Sequence, residues 1–428
     1  MALPGGAGRR RPRRQLRRGP RAVAAYPEPL TRRESLTVRN EDSPLSWLAS
    51  RQDRSVLCLP GTNRAQPPSE TWEMATRAAA KVGVTRVADI TRLDSIGIPT
   101  FQAIRPLSRT LAVSQGKGMT AELAKLSAVM ESVETWHVEQ PAPPALTAAP
   151  RDIGVELGYE VSALAPCVPS LLHDRLPLDW VAARSLADGA RTYVPVNVVR
   201  LTLEEHTDWN PPVFFESTNG LASGNTRVEA ALHALCEVIE RDAMTAAVAA
   251  GGEMGVRVDP RTSGSPEAAE LCALIERADV TLEVRFVPSP TGLPCFLAWV
   301  ASHEYPAPMF GFGCHLSPDI ALTRAVSEAA QARLAYISGA RDDLRDDFGP
   351  VDVGRLGSAP SGSGADIRDL VAEPARHDSL LGDLEYVVRQ AAAAFSNPPL
   401  VVDLTREEIG VPVVKVVAPG SRVCPEVL

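Results

Sequence analysis

No two of the seven cysteines (Cys58, Cys167, Cys236, Cys272, Cys295, Cys314 and Cys424) stand in a CxxC pair. Their odd number and scatter argue against a disulfide framework and against a structural zinc site. A reducing, cytoplasmic setting is therefore expected, with most thiols acting as small buried hydrophobes. No stretch approaches the ~18 apolar residues that span a bilayer. The apolar runs present, such as Ala243–Ala250, are short and alanine-rich. A glycine loop that cradles phosphates is also missing: Gly116-Lys117-Gly118 lacks the upstream glycine of GxxxxGK[ST]. Lys117 reads as a turn residue, either reaching a phosphate or simply exposed. Basic charge is scarce outside one segment. Residues 1–35 hold ten arginines and two glutamates, a net of +8, which leaves −16 on the remainder of a chain of net charge −8. Nucleic-acid binding by the folded part is thus not expected. The tail has no apolar periodicity and reads as disordered. It does not make a twin-arginine signal, because Ala22–Leu30 contains two prolines and a glutamate.

What is present is an ordinary globular composition: 428 residues, 45% hydrophobic, 22% charged. Order is expected from near Leu45. Periodicity predicts helices over 70–81, 120–139, 226–250, 266–278, 319–338 and 378–395. Strands are predicted over 86–90, 96–104, 109–114, 193–201, 280–287, 293–302, 399–404 and 411–417, and 155–172 reads as strand-rich. SQGKG (114–118) reads as a turn, GFGCHLSP (311–318) as a turn-rich loop and 356–365 as a flexible loop. Thr226 with Glu229 three residues on matches a capping box. The alternation places the chain in the mixed α/β (α+β) class.

Three of these helices put charge on a coherent face. Along 226–243, Val228, Leu232, Leu235 and Ile239 form one stripe that must face the core. Glu229, Glu237 and Glu240 form a second, offset by roughly a third of a turn. Carboxylates so close repel one another, a cation relieves that cost, and Arg241 alone cannot neutralise three. Along 120–139, Glu134 falls on the apolar face with Leu123, Ser127 and Met130, and Glu131 lies beside it. Along 319–338, Arg324, Glu328 and Gln331 line up. Each face has a plainer reading, a solvated stripe or a surface ion pair. If the three converge, glutamates supply the oxygen ligands that Mg²⁺ prefers, and Arg241 and Arg324 supply bidentate forks for phosphate. Asn225, just before the 226–250 helix, would donate to phosphate or ligate metal. That is the equipment of phosphoryl transfer. Cys314-His315 is a poor nucleophile pair if it sits on a turn, where adjacent side chains point apart. His137 and His233 read as ordinary satisfied histidines.

Four ordered blocks resemble the YcaO family: SQGKG…SAVMESVE (114–134), STNGLASGNTRVEAALHALCEVIERDA (217–243), GFGCHLSPDIALTRAVSEAAQARL (311–334) and VVDLTREEIGVPVVKVVAPG (401–420). The resemblance covers about residues 80–420, within a catalytic domain expected over 36–428. It implies a YcaO-like fold around a site for ATP and Mg²⁺, and activation of a peptide backbone amide by O-phosphorylation. The family's nucleotide and metal residues match Glu131, Glu134, Asn225, Glu229, Glu237, Glu240, Arg241, Arg324 and Glu328, with Glu134, Glu229, Glu237 and Glu240 as metal ligands. The implied partners are a precursor peptide, a TfuA-like or leader-binding protein and a second copy of the chain in a homodimer. Azoline-forming members commonly end in a PxPxP tail, whereas this chain ends SRVCPEVL. RVADITRLDSIGIPTFQAIRP (86–106) and the 219–243 run look most like the TfuA-associated, thioamide-forming subgroup. Azoline or amidine formation, and a non-catalytic ATP-binding accessory role, are the alternatives.

Overall fold

The protein is described from a computed structural model covering residues 32–34, 43–140, 143–201, 213–251, 254–304, 307–340, 364–371 and 377–424. The basic tail and the 356–365 loop lie almost wholly outside these residues. Strands β1 (Arg32–Glu34), β2 (Ser55–Leu59) and β3 (Thr62–Arg64) form a small antiparallel sheet. A second comprises β4 (Arg86–Asp89), β5 (Thr100–Ile104) and β6 (Val113–Lys117). The third holds β7 (Leu146–Ala148), β8 (Leu178–Ser185), β9 (Arg191–Pro195), β10 (Leu221–Ser223), β16 (Leu400–Asp403) and β17 (Val413–Val417). Its order is β10-β17-β16-β8-β7, with β9 paired to β8. The fourth, in the order β14-β13-β12-β11-β15, contains β11 (Val256–Asp259), β12 (Thr281–Val287), β13 (Cys295–Ala301), β14 (Met309–Cys314) and β15 (Ala365–Asp366). The helices are α1 (Pro68–Val82), α2 (Ala121–Glu139), α3 (Pro150–Leu157), α4 (Arg227–Ala250), α5 (Pro266–Arg277), α6 (Pro318–Ser338), α7 (Ile367–Leu370) and α8 (Leu380–Phe395).

The mixed α/β class and all six predicted helices hold. Val228, Leu232, Leu235 and Ile239 are at most 5% exposed and pack against Leu384, Val387 and Val388 of α8. This anchors α4 by its apolar stripe and leaves the glutamate stripe to face elsewhere.

Several local expectations are corrected. SQGKG is strand β6, not a turn, and GFGC of 311–314 is the end of β14. In both, the glycines serve packing. A Cβ on Gly116 would lie 2.0 Å from the Ala128 nitrogen of α2, and one on Gly313 would lie 2.0 Å from the Ala321 oxygen of α6. Backbone presses on backbone, which only glycine permits. The segment 155–172 is not strand-rich: it carries the end of α3 and a 3-10 turn over Val161–Leu164. Regular strand is shorter than predicted in 96–104, and the 109–114 strand is shifted to Val113–Lys117. The β8 strand has no counterpart among the sequence expectations. Half of the capping box is present. Thr226 Oγ1 accepts from the Glu229 nitrogen (3.0 Å), but the Glu229 carboxylate turns away to other partners.

Candidate functional site

Helices α2, α4 and α6 bring their charged faces to one cavity of about 590 Å³. All nine predicted site residues line it: Glu131, Glu134, Asn225, Glu229, Glu237, Glu240, Arg241, Arg324 and Glu328. The convergence that periodicity leaves open is thus a property of the structure.

At the N-terminus of α4, Asn225 is a hub. Its Nδ2 donates to Glu229 Oε2 (3.0 Å), and its Oδ1 accepts from Thr71 Oγ1 of α1 (2.8 Å). Glu229 Oε2 also accepts from the Ala65 nitrogen (2.9 Å), and Oε1 lies 3.7 Å from Arg64 Nε. Glu229 is therefore held by the segment just after β3 as well as by its own helix. On α2, Glu134 Oε1 accepts from the nitrogen and Oγ of Ser223 (2.7 and 2.6 Å). On α6, Arg324 Nη1 donates to His233 Nε2 (2.7 Å), and Lys117 Nζ of β6 sits 2.6 Å from Glu328 Oε2.

Burial dominates the electrostatics of the acids. Burial pushes the Glu134 carboxyl up to about 8, against the opposing Ser223 bonds. Burial likewise raises Glu240 to about 7 and lifts Glu237, although Arg241 opposes both shifts. Glu328 differs: burial would raise it, but Lys117 and Arg241 hold it below the usual carboxylate range. His233 and His315 are driven down, His315 to about 3, by burial and then by Arg324 and Arg64. Neutral His233 is the form that accepts from Arg324.

Among the described residues no group of three His, Cys, Asp or Glu is clustered to hold a metal ion by itself. The carboxylates line the cavity as separate ligands. That arrangement fits Mg²⁺, which takes one or two carboxylates and completes its shell with phosphate oxygens and water. The raised Glu134, Glu237 and Glu240 are oxygen donors that a hard cation would return to the ionised state.

Sequence reasoning misses Arg64, Thr71 and Lys415. Nothing in a three-residue strand singles out Arg64, which lines the cavity beside Glu229. Lys415 has a readable signal, a lone cation inside the apolar strand VVKVV. It is 2% exposed, donates to the Ser217 carbonyl (2.6 Å) and has Glu237 as its opposing charge. Lys117 proves to be ion-paired in the cavity wall. His233 is satisfied as expected, by Arg324, and also lines the cavity. His137 is buried away from it, with Nδ1 against the Val133 carbonyl. Cys314 packs in the core with Cys236 and Cys295, not on a turn.

Residues 115–422 match the family model described as YcaO cyclodehydratase, ATP- and Mg²⁺-binding. The chain belongs to the YcaO family. This YcaO chain is 38% identical over 385 residues to an uncharacterised protein of Mycobacterium tuberculosis, covering 88% of this chain and 86% of that one. It is 32% identical over 383 residues to a Rhizobium leguminosarum bv. trifolii protein described as lying in the tfuA 3′ region, covering 84% and 89%. Among solved structures, YcaO from Methanopyrus kandleri, bound with AMPPCP and Mg²⁺, superposes with a TM-score of 0.66 at 26% identity, covering 84% of this chain and 93% of that one. The cofactors are ATP and Mg²⁺, and the cavity's carboxylates and cations suit both.

Proposed function

We propose that this YcaO protein activates a backbone amide of a ribosomally made precursor peptide by O-phosphorylation, and that a sulfur nucleophile then replaces the amide oxygen to give a thioamide. The observation that carries the ATP-dependent part is the convergence of six carboxylates (Glu131, Glu134, Glu229, Glu237, Glu240, Glu328) and four cations (Arg64, Lys117, Arg241, Arg324) on one cavity. ATP would supply the phosphoryl group, and Mg²⁺ would neutralise charge on its phosphates. The cations suit phosphate oxygens, and Arg241 and Arg324 do so by bidentate hydrogen bonding. Glu134, Glu237 and Glu240 would hold metal. Glu229 would act with Asn225 as a ligand or as the support of one. Phosphorylation matters because an amide oxygen leaves readily only as phosphate. The nucleophile adds to the amide carbon, and the C–O bond breaks as phosphate departs.

The thioamide outcome rests on the tfuA-region relative and implies a TfuA-like partner. The cyclodehydratase description of the family favours a second outcome, ring closure by a Cys, Ser or Thr side chain to an azoline. Operation as a homodimer belongs to the same proposal. A cytoplasmic site of action suits seven cysteines that are all free of disulfides, and among the described residues no helix is long and apolar enough to cross a membrane.

Co-expression with a precursor peptide encoded nearby, followed by peptide mass, tests the proposal. Exchange of oxygen for sulfur supports thioamidation, loss of water supports azoline formation, and an unchanged peptide that also fails to raise phosphate release counts against an enzyme. Glu237→Gln should abolish whichever change is seen.

A further inference from the structure

The cavity is chemically two-sided along α6. Its lining residues run in order Thr323, Arg324, Ser327, Glu328, then Gln331, Ala332, Ala335 and Tyr336. Arg324 and Tyr336 are twelve residues apart, about 18 Å along a helix. The first half meets cations, since Arg324 contacts His233 and Glu328 contacts Lys117. Beyond Glu328 every cavity-lining residue of α6 is uncharged.

Strand β6 follows the same gradient. Lys117 stands beside Glu328. Gln115, two residues back on the same face, pairs across the sheet with Gln102, whose Nε2 donates to Ser338 Oγ at the far end of α6 (3.0 Å). Gln115 therefore marks the neutral end. It is 2% exposed, lines the cavity, and its Nε2 is buried without a hydrogen-bond partner among the described residues. An unmet buried amide donor costs about 1–3 kcal/mol, so such a group points to a ligand that meets it. The cavity lining also includes Leu111, Met130, Tyr336 and Phe310 of β14, which is 38% exposed. Among the described residues β14 is an edge strand of its sheet.

We infer that this neutral end receives the acceptor peptide, with Gln115 hydrogen-bonding its backbone amide and the Phe310–Tyr336 wall selecting uncharged side chains next to the modified bond. The inference deepens the proposed function and rests on it. Triphosphate and metal need the charged half. Along α6 and β6 the remaining lining is uncharged and includes a carboxamide, which offers a donor and an acceptor side by side, the complement of a peptide group, while α2 contributes Glu131 to the same cavity. A carboxylate or ammonium placed there would lose hydration with no counter-charge from α6.

The test uses the full chain with saturating Mg²⁺ and AMPPCP, and three N-acetylated, C-amidated tripeptides: Gly-Phe-Gly, Gly-Asp-Gly and Gly-Lys-Gly. Peptide binding is read by saturation-transfer NMR at millimolar concentration, and AMPPCP affinity by calorimetry. The wild-type chain should bind Gly-Phe-Gly in preference to the charged peptides. Gln115→Leu and the more exposed Phe310→Asp should each weaken that binding by about tenfold or more while AMPPCP affinity stays within about twofold. Unchanged peptide affinity in both variants overturns the inference. So does a loss of AMPPCP affinity in Gln115→Leu, which would give the neutral end to the nucleotide base. If the wild type binds AMPPCP but none of the peptides, this inference fails alone. If it does not bind AMPPCP with Mg²⁺, the proposed function fails with it.

Discussion

Lys117 and Glu328 face each other across the cavity wall, Nζ to Oε2 at 2.6 Å, and so join strand β6 to helix α6. Each side chain is roughly four-fifths buried, with 20% and 23% exposure, so losing one leaves the other charge poorly hydrated. Lys117→Met should lower stability by about 1–2 kcal/mol and weaken Mg-AMPPCP binding by about tenfold or more, because the proposed phosphate contact of this cavity-lining cation is lost as well. Lys117→Arg should recover most of the stability. Thermal melts and calorimetry on the three proteins check this.

Glu134→Gln separates function from stability. The wild-type carboxyl, held up to about 8 by burial, is largely protonated at neutral pH without ligand. A neutral carboxamide keeps the acceptor for Ser223, so the ligand-free melting temperature should stay the same or rise. Under the metal-binding role proposed for Glu134, Mg-dependent AMPPCP affinity should fall by about ten- to a hundredfold. A melting temperature several degrees lower would show that Glu134 is ionised and needed structurally.

The same carboxyls set a pH dependence. Glu134 and Glu240, at about 8 and about 7, lie above their ordinary 4.5. Their contribution to stability is full below about 4.5 and is lost as pH rises through 7 to 8. The ligand-free protein should therefore melt lower at pH 9 than at pH 6. If Glu134 and Glu240 hold Mg²⁺ as proposed, its binding displaces these protons, so Mg-AMPPCP affinity should rise over the same interval, by at most about tenfold per pH unit for each proton released. Calorimetry in buffers of different ionisation enthalpy should show proton release at pH 6.5 and little at pH 9.

How much of this is legible beforehand differs by element. The site residues on α2, α4 and α6 are readable because a 3.6-residue period fixes which side chains share a face. What brings those faces together is not readable, since it depends on contacts such as Ser223 with Glu134 and Ala65 with Glu229, 89 and 164 residues apart. The glycines of SQGKG and GFGC suggest turns when read locally. Their reason is the helix backbone pressed against them, which has no local signature. Arg64 is invisible for a similar reason, whereas Lys415 is betrayed by its apolar neighbours.

Gly116→Val should test that packing. The added Cβ meets the Ala128 nitrogen at 2.0 Å and the Ala124 oxygen at 2.3 Å. Backbone cannot move aside as a side chain can, so a destabilisation of about 3 kcal/mol or more is expected, seen as insoluble expression or a collapsed melting transition. Soluble protein with a normal melting temperature would mean that α2 and β6 can separate freely.

The glycine contacts also bear on how such a site diverges. Where a helix rests directly on a strand's main chain, no intervening side chain can be enlarged or trimmed to adjust the gap. The spacing between α2 and β6, and between α6 and β14, is then inherited as a fixed gauge. New substrates must be accommodated by residues that point into the hollow. Relatives acting on unlike peptides should accordingly superpose closely on these two helix–strand pairs and differ most around the position of Phe310.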